Sequence, residues 1–476
     1  CVTMSSDAKA ESSNAASETP VSAEKIERRG RAAVSSSKLQ VQQSDPHSPL
    51  FSAKSFEELE LKKELLDGIF KVGYQKPSHI QEIAIPNIIK KPDQHFIGQA
   101  QAGTGKTAAF ALSALARISV DLQQPQVLVL CPTRELALQI VDVFTGLSQL
   151  MPGVGVLGLV KDAVIPDKIT QQILVGPPGT VNDASRRRKF DPKKLIMVVI
   201  DEADQMIQPP SSTKDNMWPQ TQAILKTAPQ AQICLFSATF PAVVMETVDK
   251  LLSAPAAGST EPRHYTKITL APEEQSLDQI HEFYFVCQPD EKFAALKKIF
   301  KAATLGSTVI FVNTKRGSNE LQASLNKEGY EVSVLHGDLT PAERDSTMRN
   351  FRESKIRMLI VTNMFARGIN IPEITTVVNY EMPYIFKGNN AGPSEGDSAS
   401  YLHRIGRSGR FGADGTAISF TATLEERDAL KSINAELSAV NKETGKAKRK
   451  REIKKLSMDD LTPFTNILAE IEEKAA

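Results

Sequence analysis

Ala100-Gln101-Ala102-Gly103-Thr104-Gly105-Lys106-Thr107 stands between a short apolar run, His95 to Ile97, and a helix-forming run, Ala108 to Ile118. The placement reads as a strand-to-helix turn that wraps an anion. In a phosphate-binding loop the backbone N–H groups, here from Ala102, Gly103, Thr104 and Gly105, face the phosphates with the helix N-terminus. Lys106 is then expected to reach the β and γ groups and Thr107 to bind Mg²⁺. The general pattern G-x-x-x-x-G-K-[ST] has Gly where Ala100 stands. On this stretch alone a glycine-rich turn opening a helix is an open alternative.

The chain around it has 476 residues, 41% of them apolar, enough for two domains with tails. Its net charge of +1 decides nothing about a polyanionic partner, because nucleic-acid sites are local patches. Cys1, Cys131, Cys234 and Cys287 form no C-x-x-C pair, which suits a reduced intracellular protein without a zinc site. No run reaches the ~18 to 20 apolar residues of a membrane span, and no signal peptide is visible. The chain begins at Cys1 rather than Met, so its true start is left open.

Residues 1 to about 40 are rich in Ser, Ala, Glu and Lys and are expected to be disordered, as part of an N-terminal extension over 1–50. From Phe51, β-type runs at Val127 to Cys131, Ile173 to Val175, Leu195 to Ile200 and Ile233 to Phe236 alternate with helical periods. A second series follows at Thr308 to Val312, Val332 to Leu335, Met358 to Val361, Thr376 to Val378 and Ala417 to Phe420. That alternation is the mark of βαβ units on parallel sheets. The reading is two α/β domains, 51–258 and 276–436, joined by a short linker at 259–275, with a basic and amphipathic tail at 437–476. Each domain should present its ligand groups at the carboxyl ends of its strands, so a cleft lies between them.

Asp201-Glu202-Ala203-Asp204 follows the run Leu195 to Ile200 directly, which puts two carboxylates at a buried strand's carboxyl end. There an Asp holds Mg²⁺ and a neighbouring acid positions the attacking water. Asp201 is the expected metal residue and Glu202 the expected base.

The pairing of D-E-A-D with A-Q-A-G-T-G-K-T resembles the DEAD-box RNA helicases, and further matching stretches cover about 51 to 425. The resemblance implies two tandem RecA-like domains, with ATP and Mg²⁺ as cofactors. Pro132-Thr133-Arg134, followed by Glu135, Leu136 and Ala137, resembles the segment that binds the RNA backbone, although Thr133 and Glu135 would also suit a capped helix start. By the same resemblance Gly179, Thr180, Thr314, Arg344, Thr362 and Asn363 contact RNA. Ser237-Ala238-Thr239 resembles the motif that couples ATP state to RNA binding, together with Asp204, Arg367, His403 and Arg404. Gly73-Tyr74 and Ile80-Gln81, with Phe56 upstream, resemble the adenine-reading motif: Tyr74 would stack on the base and the Gln81 amide would address its edge.

His403-Arg404-Ile405-Gly406-Arg407-Ser408-Gly409-Arg410 places three arginines at spacings of three. A guanidinium from the second domain reaches the γ-phosphate only when the cleft closes, and an arginine finger contributes roughly 10³ to 10⁵ in rate. The resemblance makes Arg407 and Arg410 the fingers, with Gly368 and Asn370 on the nucleotide side and His403 and Arg404 tying the site to the other domain. Departures from the family pattern are Asn370 in place of Asp, Pro177 in place of Thr, and Ala342 in place of Gln.

Val41 to Pro46 and Ser48 to Phe51, with Asp290 to Phe293 and Val378 to Tyr380, resemble the family's mRNA-export branch. That implies single-stranded RNA or mRNP as substrate, and a monomer working with a nucleoporin β-propeller and an export activator assisted by inositol hexakisphosphate. It also implies a location in cytoplasm and nucleus, at the cytoplasmic face of the nuclear pore. Two alternatives are a catalytically slow RNA clamp, suggested by Asn370, and a DNA translocase.

Overall fold

The computed structural model describes residues 39–45, 48–101, 103–208, 216–253, 255, 263–270, 280–302, 306–363, 374–386, 393–408, 414–438 and 452–475. They form two large sheets, each with helices on both faces, and a two-stranded third; four apolar clusters fill the layers between.

The first sheet has eight strands: β1 (Leu39–Gln43), β2 (His95–Gln99), β3 (Val127–Leu130), β4 (Val156–Gly158), β5 (Ile173–Gly176), β6 (Met197–Asp201), β7 (Gln232–Ser237) and β8 (Tyr265–Leu270). They lie in the order β1-β8-β2-β7-β6-β3-β5-β4, and every pairing is parallel except β1 with β8. β3, β5, β6 and β7 are buried along their whole length, the condition that makes parallel strands read as unbroken apolar runs. β2 is central, and the Ala100–Thr107 loop leaves its carboxyl end beside those of β6 and β7.

The second sheet is parallel throughout: β9 (Ile280–Phe285), β10 (Ser307–Val312), β11 (Val332–Leu335), β12 (Met358–Thr362), β13 (Ile374–Asn379), β16 (Gly415–Phe420) and β17 (Lys454–Leu456). Their order is β11-β12-β10-β13-β16-β9-β17. A short antiparallel pair, β14 (Tyr384–Phe386) and β15 (Pro393–Gly396), precedes the helix Ser398–Ile405. The expectation of two RecA-like α/β domains holds.

Three boundaries differ from the sequence reading. Leu39–Gln43, assigned to the disordered extension, is an edge strand whose backbone pairs with β8 from Leu39↔Leu270 to Gln43↔Thr266. Tyr265–Leu270, assigned to the linker, belongs to the first sheet between β1 and β2. Lys454–Ala475, assigned to the tail, continues the second domain: β17 pairs with β9, and the helix Thr462–Ala475 buries Phe464 edge-on against Phe283, with ring centroids 5.5 Å apart. Residues 1–38 and the basic run from Lys446 to Arg451 lie outside the described residues. No helix among the described residues is long and apolar enough to cross a membrane.

Candidate nucleotide and RNA site

The loop after β2 has the backbone its sequence requires. Gly103 and Gly105 hold φ of 85° and 96°, a region L side chains rarely adopt. A Cβ on Gly105 would also lie 2.3 Å from Gln81 Nε2. The helix Lys106–Arg117 then begins with no side-chain cap and no acidic residue in its first turn, so its leading N–H groups and positive dipole end suit an anion. Ala100 is fully buried, and its N–H donates to the Ser237 carbonyl across the sheet. The buried Lys106 Nζ donates to the carbonyls of Ala100 (2.5 Å) and Gln101 (2.8 Å). Thr107 is half-buried beside it, and Ala102 lies outside the described residues.

Gln81 ties the segment expected to read adenine to this loop. Its Nε2 donates to the Gly105 carbonyl at 3.0 Å and its Oε1 accepts from Ser78 N–H at 2.9 Å, which leaves one donor and one lone pair for a base edge. Tyr74 is exposed, with its ring available for stacking. Phe56 is instead a core residue, fully buried and edge-on to Phe70.

Asp201 ends β6 and is buried. Burial and the neighbouring Glu202 push its carboxyl up to about 7, while Lys106 pulls the other way. Glu202 sits at φ 51°, ψ 50°, a strained conformation for a non-glycine residue of the kind that gathers at functional sites. Its Oε2 is buried without a hydrogen-bond partner. Two crowded carboxylates, one of them unsatisfied, fit a cation held between this strand end and the uncapped helix.

Asp204 is locked rather than open. Its oxygens accept from Ser237 Oγ (2.9 Å) and Thr239 Oγ1 (2.7 Å), and His403 Nε2 of the second domain lies 3.3 Å from Oδ2. His403 Nδ1 is 3.8 Å from Glu202 Oε2. Asp204, Ser237, Thr239 and His403, four of the residues expected to couple the domains, thus form one cluster across the cleft. Arg404 does not join it. Fully buried, it donates to Asn313, Asn379, Asn363 and the Glu381 carbonyl and stacks over Phe311, all within the second domain. Desolvation lowers its pKa to about 9. The expected tie to the first domain is therefore carried by His403, and Arg404 braces the ends of β10, β12 and β13. Arg407 is buried, with Nε donating to the His403 carbonyl at 3.2 Å. Arg367, Gly368, Asn370 and Arg410 lie outside the described residues.

The segments expected to contact RNA also sit at strand ends. Thr133 caps the helix Arg134–Leu147 by accepting from Leu136 N–H, and Thr314 caps Lys315–Lys327 through Gly317 N–H. Pro132 is buried and Thr180 half-buried, while Gly179 is exposed at the start of the helix Pro178–Arg186. Thr362 is buried and Asn363 exposed after β12. The two arginines are engaged across the cleft: Arg134 donates twice to Asp345, at 2.9 Å each, and Arg344 lies 2.9 Å from Glu135. Sequence spacing gave no sign of Asp345 or of these pairings.

The DEAD/DEAH box helicase family matches residues 78–247, and the helicase conserved C-terminal domain matches residues 291–412. The chain belongs to the DEAD/DEAH box helicases. Among curated helicases, ATP-dependent RNA helicase DBP5 of Mycosarcoma maydis is 41% identical over 381 residues, 80% of this chain and 79% of that one. Among solved structures, S. cerevisiae Dbp5 bound to RNA and ADP BeF3 aligns with TM-score 0.76 at 37% identity, covering 88% of this helicase and 100% of that chain. A variant of the same yeast protein bound to Nup159, Gle1, IP6 and ADP aligns with TM-score 0.56 at 34% identity, covering 87% and 100%.

Proposed function

We propose that this helicase remodels RNA–protein complexes during mRNA export, closing its two domains over ATP and single-stranded RNA. The observation that carries the reading is the contact of His403 with Asp204, which sets the H-R-I-G-R segment of one domain against the D-E-A-D segment of the other. Lys106 exchanges its two carbonyl acceptors for phosphate oxygens, and the open N–H groups of the Lys106 helix bind the same phosphates. Gln81 and Tyr74 hold adenine. Thr107 and Asp201 would hold Mg²⁺, which would supply neutralisation of phosphate charge. Glu202 orients the attacking water, and Arg407, with Arg410, stabilises the charge that develops on the transferred group. Asp204 transmits closure through Ser237 and Thr239 to the RNA side.

Contacts to phosphate and 2′-OH rather than base edges make the reading independent of sequence and selective for RNA over DNA. The yeast complex supports as partners a nucleoporin of the Nup159 kind and an activator of the Gle1 kind with inositol hexakisphosphate, and such partners favour a site of action at the cytoplasmic face of the nuclear pore. RNA-stimulated ATPase activity, lost in Lys106→Ala and Glu202→Gln, is the expected result. Equal stimulation by DNA would overturn the RNA assignment.

A further inference from the structure

Within a chain of net charge +1, residues 183–194 read D-A-S-R-R-R-K-F-D-P-K-K, a strong local excess of cations. Arg186, Arg187, Arg188, Lys193 and Lys194 are exposed. Among the described residues only Arg187 of these five has an ion-pair partner, Asp183. The sole aromatic, Phe190, is turned into the core, so the patch offers charge without a stacking surface.

The backbone makes this choice of residues more telling. Arg188 N–H donates to the Ser185 carbonyl and Lys189 N–H to the Ala184 carbonyl, the paired bonds that end a helix in a left-handed residue. That residue is Arg188, at φ 56°, where glycine carries no steric penalty. An exposed arginine is held in a strained conformation with no packing role. The patch is also joined to the expected RNA segments by a single helix. The helix Pro178–Arg186 begins at Gly179 and Thr180 and delivers the arginines at its far end, about 13 Å away for its length. Lys189 Nζ donates to the carbonyls of Ile165 and Pro166, in the loop whose Asp162 lies 3.8 Å from Arg134.

We propose that Arg186, Arg187 and Arg188, with Lys193 and Lys194, form a second phosphate-binding surface that extends the RNA footprint of the first domain beyond the cleft. It takes the backbone of the strand leaving the Gly179–Thr180 turn, without base selectivity. The inference rests on the RNA reading above.

The test measures binding of two fluorescent oligouridines, one short enough for the cleft alone and one longer, across a salt series with an ATP analogue present. The wild type is compared with Arg186→Gln/Arg187→Gln/Arg188→Gly. Each single-strand phosphate contact adds roughly 0.7 to the salt slope. The wild-type slope should be steeper for the long RNA by up to about 3.5, and the variant, which keeps Lys193 and Lys194, should lose about 2 of that difference while binding the short RNA as before. Thermal melting serves as the fold control, and Arg188→Gly alone should not lower the melting temperature because it relieves the left-handed residue. An unchanged long-RNA slope in the triple variant would overturn the proposal and leave the patch to an acidic protein partner. Failure of the wild type to bind even the short RNA would overturn the RNA reading together with it.

Discussion

The guanidinium of Arg134 and the carboxylate of Asp345 meet in two parallel hydrogen bonds of 2.9 Å, although 211 residues separate them and each belongs to a different domain. Beside them Arg344 lies 2.9 Å from Glu135, an ion pair without hydrogen-bond alignment, since Glu135 Oε1 has no hydrogen-bond partner. Each domain thus offers one cation and one carboxylate in reciprocal order. Asp345 is partly exposed, so solvent screens the pair and its contribution is about 1 kcal/mol or less. Asp345→Asn should therefore reduce the population of the closed form up to about fivefold. Interdomain fluorescence transfer and RNA-stimulated turnover should fall together and become less sensitive to salt. A loss of turnover with no change in transfer would show that Asp345 acts elsewhere.

A conflict between stability and activity is expected at Asp201. Its carboxyl is raised to about 7, chiefly by burial and then by Glu202. The folded state therefore holds this proton more tightly than the unfolded chain, whose carboxyl titrates near 3.9. Stability falls as pH rises through that window. Asp201→Asn should raise the melting temperature of the ligand-free protein at pH 8, gain little at pH 4, and abolish ATP hydrolysis. A melting temperature that drops equally at both pH values would mean the carboxylate is structurally required.

The sequence exposed those parts of the architecture that depend on one segment at a time. β3, β5, β6 and β7 are buried along their lengths and read as apolar runs, and the loops that follow them carry recognisable chemistry. Three of the missed strands are ones burial does not mark: Val156–Gly158 is half-buried, Leu39–Gln43 is mostly glutamine, and Lys454–Leu456 exposes both lysines. Ile280–Phe285 was missed for another reason: His281 and Glu282 interrupt its apolar run, although the strand is largely buried. Within the site, Gln81 was legible as a residue type but its bond to Gly105 was not. The left-handed Glu202 and the partners of Arg134 and Arg344 arise from tertiary closure, which no local spacing encodes.

His403 offers a separation of binding from coupling. Removing it leaves the Asp204 bonds to Ser237 and Thr239, both internal to the first domain, and takes away its contacts across the cleft, with Asp204 at 3.3 Å and with Glu202 at 3.8 Å. A hydrogen bond to a charged group contributes about 1.5 to 3 kcal/mol. His403→Ala should accordingly lower RNA-stimulated kcat by roughly ten- to a hundredfold, while nucleotide affinity without RNA stays as in the wild type. An equal loss of nucleotide affinity would place His403 in the binding step instead.

The C-terminal segment should be indispensable to the second domain. β17 covers the outer edge of β9, and Phe464 is fully buried, with its ring at 84° to that of Phe283. Phe464→Ala removes a large buried ring and should cost about 3 to 5 kcal/mol. Deleting 452–476 would further leave β9 as a bare, apolar edge strand, an invitation to association. The phosphate loop lies in the other sheet, so nucleotide binding by the first domain should survive in Phe464→Ala. Denaturant unfolding should therefore split into two transitions, with only the second domain's midpoint moved. A single unshifted transition would return the segment to the status of a tail.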